Sequence, residues 1–237
     1  MIDFHTHILP GIDDGSRNSD MTMAMLAEES AQGVTAIAAT PHFYSDRISI
    51  DGFLDRRAAS LARVQERLAD SGLTSSAPML YTGAEVYYFP GMGKAERLRE
   101  LTISGTDTVL IEMPFVQWDE RIVTEVTDVI REQKLRVVLA HVERYIGYQK
   151  NKRYWNQILE LPLTVQLNAG SFLKGLRKRH FCLEMLKERP DSIIGSDCHN
   201  LESRRPNLAE ARAVIEKKLG SRALAAIDAK TEAVLEI

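Results

Sequence analysis

The chain has 237 residues, 44% of them hydrophobic and 27% charged, which is too apolar for a disordered chain and long enough to bury a core without staples. Its 30 basic and 33 acidic residues leave a net charge of −3, which argues against a broad nucleic-acid or membrane-binding surface. The two cysteines, Cys182 and Cys198, exclude a disulfide framework and suit a reducing compartment.

The start, MIDFHTHILPG, carries neither the basic segment nor the apolar run of a signal peptide, and no stretch approaches the ~18 apolar residues of a membrane span. The chain therefore reads as one cytoplasmic domain, 1–237. Strands are expected at 1–4, 34–39, 79–84, 108–112, 136–140, 163–167 and 192–195. Many are apolar on consecutive positions, as parallel strands covered on both faces are. Between them, helical spacing puts Met23, Leu26, Ala27 and Ala31 on one face ahead of Gly33. It does the same for Leu54, Ala58, Leu61, Val64 and Leu68 ahead of Gly72, and for Ile122, Val123, Val126 and Ile130. A short helix is expected at 181–186, and residues 207–237 should be helical with a break near Gly220. Seven strand–helix repeats point to a closed or nearly closed α/β barrel rather than an open sheet. The loops 44–52 and 113–120 are the least regular stretches.

The polar residues fall in a pattern. Of six histidines, His5, His7, His42, His141 and His199 follow expected strands, whereas His180 sits in a basic helical stretch. Glu85, Glu112 and Asp197 also stand at strand ends. In α/β barrels these ends converge on the face where active sites sit, and polar groups there are costly without partners. His5 and His7 are two apart, as are Asp197 and His199, so each pair can reach one site. Cys198 then points the other way. Imidazole with carboxylate suits Zn²⁺, Mn²⁺ or Fe²⁺. In the loop ILPGIDDGS, Asp14 fits an Asp-Gly turn as well as it fits a ligand.

The line FHTHILPGIDDGSRNSDMTMAMLAEESAQGVTAIAATPHF, with YTGAEVYY, LIEMP, LAHVERY, QLNAGSF and IIGSDCHN followed by SRRP, resembles the polymerase-and-histidinol-phosphatase (PHP) superfamily. Within it, the chain is similar to the manganese-dependent protein-tyrosine phosphatases of bacterial capsule and exopolysaccharide operons. The resemblance spans about the whole chain. It implies a distorted seven-stranded β/α (TIM-like) barrel holding three divalent metal ions, by that resemblance Mn²⁺, with Fe²⁺, Zn²⁺ and Co²⁺ chemically compatible. By motif, His5, His7, Glu85 and Asp197 would hold the first metal. Glu85 would bridge to a second, completed by Glu112 and His141, and Asp14, His42 and His199 would hold the third. Arg144 and Arg204 would bind substrate phosphate. The loop departs from the family in carrying Arg204-Arg205 before a single Pro206, so Arg205 is a second candidate. Lone arginines such as Arg17, Arg47 and Arg153 are expected to form surface salt bridges.

Phosphate-ester hydrolysis follows as an expectation. Asp14, Glu85, Glu112 and Asp197 bring four negative charges, which three divalent ions exceed, leaving a site suited to a phosphate dianion. A hydroxide bridging two metals would be the nucleophile, the two arginines would take up equatorial charge, and Asp14, His199 or a metal-bound water would assist the leaving oxygen. Candidates for holding the tyrosine ring are Phe43, Tyr87, Tyr88, Phe115 and Trp118. Cys198 and Arg204 match the Cys-x5-Arg phosphatase spacing, but their loop lacks the glycines that turn amides onto a phosphate. The resemblance implies a phosphotyrosine protein as substrate, specifically the tyrosine-rich tail of a bacterial tyrosine kinase, with no nucleic acid and no membrane insertion. The alternatives are a small-molecule phosphomonoesterase of the histidinol-phosphatase type, an amidohydrolase, and a catalytically dead module that docks on a kinase.

Overall fold

The computed structural model describes residues 1–236. Its strands are β1 (Ile2–Thr6), β2 (Ala36–Ala39), β3 (His42–Phe43), β4 (Met79–Thr82), β5 (Glu85–Tyr87), β6 (Thr108–Glu112), β7 (Arg136–Leu139), β8 (Thr164–Asn168) and β9 (Ile193–Gly195). They form two sheets, β1-β2-β4 and β3-β5-β6-β7-β8-β9. Every pairing is parallel, so the chain is an α/β protein with a curled parallel sheet. β6 and β8 are buried along their whole length, the mark of strands covered on both faces.

The two sheets meet through their first and last strands, and two further bonds continue the ladder where strands are interrupted. Asp197 N–H donates to His5 O at 2.8 Å, and His7 N–H donates to Cys198 O at 2.9 Å, so the first and last strands meet. Gly83 N–H donates to Ala39 O, and Glu85 N–H to Pro41 O, carrying the ladder across the breaks between β2 and β3 and between β4 and β5. These breaks correct two expected strands. Pro41 has no N–H to continue the ladder, and the expected strand 79–84 ends at Thr82. Glu85 therefore opens β5 rather than closing its predecessor.

The helices are α1 (Ser19–Ala31), α2 (Ile50–Asp70), α3 (Glu120–Arg131), α4 (Arg153–Glu160), α5 (Ala169–Leu173), α6 (Leu176–Glu188), α7 (Leu208–Leu219) and α8 (Ser221–Leu235). Asn18, Ser49 and Asp119 cap the first three by accepting backbone N–H bonds with their side chains. The break at Gly220 stands where expected; Ile237, the end of the expected helical tail, lies outside the described residues. α4 and α5 are too short for their periodicity to stand out, and α6 runs well beyond 181–186. α1 is rotated from its expected face: it buries Thr22, Met25, Leu26 and Glu29. Thr22 Oγ1 donates to Ile8 O at 2.7 Å, a polar anchor that apolar spacing cannot reveal.

Inside the curl, Phe4, Ala38, Leu110, Val138, Ala140 and Ile193 pack with Val234 and Leu235 of α8. Thr108 Oγ1 donates to Val234 O at 2.7 Å, so α8 covers the end where the strands start. The opposite end holds the polar residues.

Candidate metal centre

A backbone irregularity aims the first histidine. Asp3 pairs with Ile37 and Thr6 with Ala39, so three steps along β1 oppose two along β2. Such an extra residue is a bulge, which re-aims side chains. Asp3 turns its carboxyl to Ser196 and to Glu29 of α1, while His5 points at His7, Glu85 and Asp197. Beyond the bulge the expected two-residue rule holds, and the His5 and His7 Nε2 atoms lie 3.1 Å apart.

Two other residues reach the site through left-handed backbone. His141 has φ 29° and Asp197 φ 54°, a region costly for residues other than glycine and one that clusters at functional sites. Asp197 leaves β9 this way, and His141 follows β7.

Around this core all nine expected ligands converge. Glu85 is fully buried among histidines: His141 Nε2 lies 2.8 Å from its Oε1, with His42 Nδ1 2.9 Å and His5 and His7 Nε2 each 3.3 Å from its Oε2. Glu112 Oε1 is 3.5 Å from His141 Nε2. Asp197 Oδ1 stands 3.5 Å from His7 Nε2 and 3.7 Å from His5 Nε2. Asp14, exposed on its loop, brings Oδ1 within 3.3 Å of His199 Nε2 and 3.5 Å of His42 Nε2. Three sets are compact enough to share an ion: His7, Asp14, His42 and His199; His5, His7 and Glu85; and His42, Glu85 and Glu112.

The hydrogen-bond inventory asks for cations here. Gln166 Oε1 accepts the His141 backbone N–H at 2.7 Å and lies 3.1 Å from His5 Nδ1. Since that oxygen only accepts, His5 Nδ1 carries the proton and its Nε2 presents a lone pair. His7 Nδ1 donates to Asp13 at 2.6 Å, which turns its Nε2 towards that of His5. Among the described residues, buried His42 Nδ1, Glu85 Oε2 and His199 Nε2 make no well-aligned hydrogen bond, although His42 Nδ1 and Glu85 Oε2 lie 2.9 Å apart and His199 Nε2 is 3.3 Å from Asp14 Oδ1. Unpaired nitrogen and oxygen donors aimed at common points are what divalent metals require.

The charges agree. Burial by itself would lower the His7 pKa, but Asp13 and Glu85 push it up to about 10. Burial and the Glu85 charge push Glu112 up to about 7. Burial and Arg144 bring His141 down to about 4, against its bond to Glu85.

Two arginines clamp Asp197. Arg144 Nη2 donates to Oδ2 at 2.6 Å and Arg204 Nη2 to Oδ1 at 2.7 Å. Arg205 turns away to Glu28, 2.9 Å, and to Glu210, so it is not the arginine that faces the site. Cys198 is fully buried, with Sγ 3.7 Å from Glu29 Oε1 on the helix side, and burial beside Glu29 raises its thiol well above the usual range.

Several functional neighbours escaped the sequence. Asp13 accepts from His7, from His42 N–H and from Gly15 N–H. Gln166 donates to Asn168 Oδ1, and Asn168 donates to Asp197 Oδ2 at 2.7 Å. A Cβ on Gly15 would lie 2.2 Å from His7 O, so only glycine lets the loop close over His7. Arg47 forms no salt bridge among the described residues; it covers the Tyr44 ring at 4.5 Å. Both line a cavity of about 450 Å³ beside Asp14 and His42. Of the ring candidates, Phe43, Tyr88 and Trp118 are core residues, whereas Phe115 stacks towards His141 and Tyr87 towards Tyr44.

The family described as "Capsular polysaccharide synthesis, CpsB/CapC" matches residues 1–235. The tyrosine-protein phosphatase CpsB of Streptococcus pneumoniae is 27% identical, over 94% of this chain and 92% of its own. The tyrosine-protein phosphatase YwqE of Bacillus subtilis is 26% identical, over 93% and 86%. A crystal structure from work on YwqE and CpsB, described as unique metal-dependent tyrosine phosphatases, superposes with a TM-score of 0.86 at 26% identity, covering 100% of this chain and 94% of that one. A β-aspartyl dipeptidase of Fervidobacterium islandicum shares the fold alone, at 14% identity and a TM-score of 0.54.

Proposed function

The chain belongs to the CpsB/CapC family of capsular polysaccharide synthesis, and from that premise we propose that it is a metal-dependent phosphatase that hydrolyses phosphotyrosine in proteins. The observation that carries this reading is the set of unpaired buried histidine and glutamate atoms lying beside two arginines. The substrate is inferred to be the tyrosine-rich tail of a capsule-type tyrosine kinase, and the place of action the cytoplasm. No helix among the described residues is long and apolar enough to cross a membrane.

We read the curled sheet as one domain, a distorted seven-stranded barrel in which β2 with β3, and β4 with β5, each count as one interrupted strand. His5, His7, Glu85 and Asp197 would hold one metal, Glu85, Glu112 and His141 a second, and Asp14, His42 and His199 a third. The compact sets above group His7, His42 and Glu85 twice each, which suits residues packed between neighbouring sites. Manganese is the proposed ion. When bound, such ions acidify water to a pKa of about 7, supplying the nucleophile, and draw charge from phosphoryl oxygens.

The protein's own groups do the rest. Asp13 and Gln166 fix the tautomers of His7 and His5, so that both present Nε2 to the centre. Arg144 and Arg204, anchored on Asp197, offer their remaining N–H groups to the phosphate oxygens. Asp14 stands at the exposed rim with the buried His199 just beneath it, where the leaving phenol oxygen departs. Tyr44 and Tyr87 are the aromatic rings placed to hold a phosphotyrosine ring.

The test is phosphopeptide hydrolysis by metal-stripped protein before and after Mn²⁺ is restored, with histidinol phosphate alongside. Turnover of the phosphopeptide only with metal supports the reading. Faster turnover of histidinol phosphate would replace it with a small-molecule phosphatase, and full activity in chelator would end it.

A further inference from the structure

Beyond the two arginines lies a second, smaller cavity, of about 150 Å³, between β9, α5 and the start of α6. Arg144 and Arg204 form its near wall, and Lys174 and Lys178 its outer one, with Ser171 and Asn207 contributing polar groups. Its one acidic residue is Asp197, already engaged by both arginines. Lys174 makes a single loose bond, to Ser203 O at 3.3 Å, and neither lysine forms a salt bridge among the described residues. The cations run on: Lys178 and Arg144 also line a neighbouring groove of about 460 Å³ with Arg177, Phe115 and Tyr148, whose one acid, Glu143, is buried and pushed towards its neutral form. The first turn of α6 holds no acid, although Arg177 and Lys178 there oppose the helix dipole. Positive charge is thus concentrated at this spot against the local preference of the helix, next to the place proposed for phosphate.

We propose that this cavity is an anion subsite that seats an acidic group flanking the phosphotyrosine. The enzyme then favours peptides carrying a carboxylate or a second phosphate monoester close to the target in sequence. Lys174 and Lys178 are the residues that set the preference. The inference rests on the phosphotyrosine reading above.

The experiment compares Mn²⁺-loaded wild type with the Lys174→Ala/Lys178→Ala double variant. Substrates are p-nitrophenyl phosphate and three phosphotyrosine peptides whose flanks are Asp/Glu, a second phosphotyrosine, or Ala. Wild-type kcat/KM should be about three- to tenfold higher with an anionic flank than with Ala, the size expected of one or two partly screened ion pairs. The double variant should flatten that difference and leave p-nitrophenyl phosphate turnover unchanged. Lys178→Glu should turn the preference against anionic flanks. A gain on both anionic peptides assigns the subsite to acids in general, and a gain on the doubly phosphorylated one alone assigns it to phosphate. Equal wild-type rates on all three peptides, a preference that survives the double variant, or an equal loss on p-nitrophenyl phosphate would overturn the subsite. Absence of any phosphopeptide turnover would instead overturn the reading beneath it.

Discussion

Glu85 and Glu29 are both fully buried carboxyl groups, and they behave in opposite ways. Burial pushes each towards its neutral form. Around Glu85 the histidines His5, His141 and His42 reverse that push and hold its pKa well below the usual range. Glu29 instead faces the carboxyl of Asp3 and the Cys198 thiol, and its pKa stands well above the usual range. One is held in its charged form among histidines, the other is pushed towards its neutral form. Depth in the fold does not mark a reactive acid; the charge of its neighbours does.

The contrast can be broken most severely at Glu85. Glu85→Gln removes the charge around which four histidines gather, and both metal content and activity should collapse, kcat/KM by about a thousandfold or more, since metal ions contribute several kcal/mol to such reactions. Elemental analysis and phosphotyrosine turnover check it; retained metal would remove Glu85 from the centre of the site. Asp13→Asn tests the support behind the ligands. It weakens the hold on His7, and a loss of about 10–100-fold in metal affinity or activity is expected, read by metal titration.

The arginines lie between the two extremes. Arg144→Ala and Arg204→Ala should keep the metals and each lose about one to two orders of magnitude in kcat/KM, the value of a charge-assisted bond. Arg205→Ala should cost little, because its partners are surface carboxylates. A larger loss at Arg205 than at Arg204 would reassign the phosphate contact.

Glu29→Gln should leave activity near wild type and change the pH dependence of stability. An unfolded Glu29 releases its proton near 4.5, whereas the folded one keeps it to higher pH. The fold therefore binds more protons above 4.5, and its stability falls as pH rises from there towards the folded pKa. Glutamine has no proton to lose, so the variant's melting temperature should fall less over that range; identical slopes would show that Glu29 is ionised after all. Cys198→Ser, the mildest change, should retain most turnover, and a large loss with metal intact would revive the thiol as nucleophile.

The candidate ligands could be picked out in the sequence because histidines and acids at the ends of apolar strands stand out from their surroundings. Their supports were not. Asp13, Gln166 and Asn168 act through hydrogen bonds, and such residues are ordinary in loops and strands. Alternation along β1 pairs His5 with His7, but without the bulge it would also put Asp3 beside them. Nor does any residue type announce that His141 and Asp197 adopt left-handed backbone. Arg204 and Arg205 are equivalent in sequence, and only the turn of the loop separates the one on Asp197 from the one on Glu28. The curled parallel sheet was readable from its apolar runs, yet the interruptions at Pro41 and Gly83, which deliver His42 and Glu85, depend on how neighbouring ladders meet.

The docking of α8 across the strand starts has a practical consequence for handling the molecule. α8 ends at the pole opposite the candidate metal centre, so a linker joined after it and fixed to a sensor chip or bead would turn that candidate site towards the solution. An amino-terminal linker would leave from the same pole, but Met1 is only four residues from His5, and a tether there pulls on the strand that carries the first two candidate ligands.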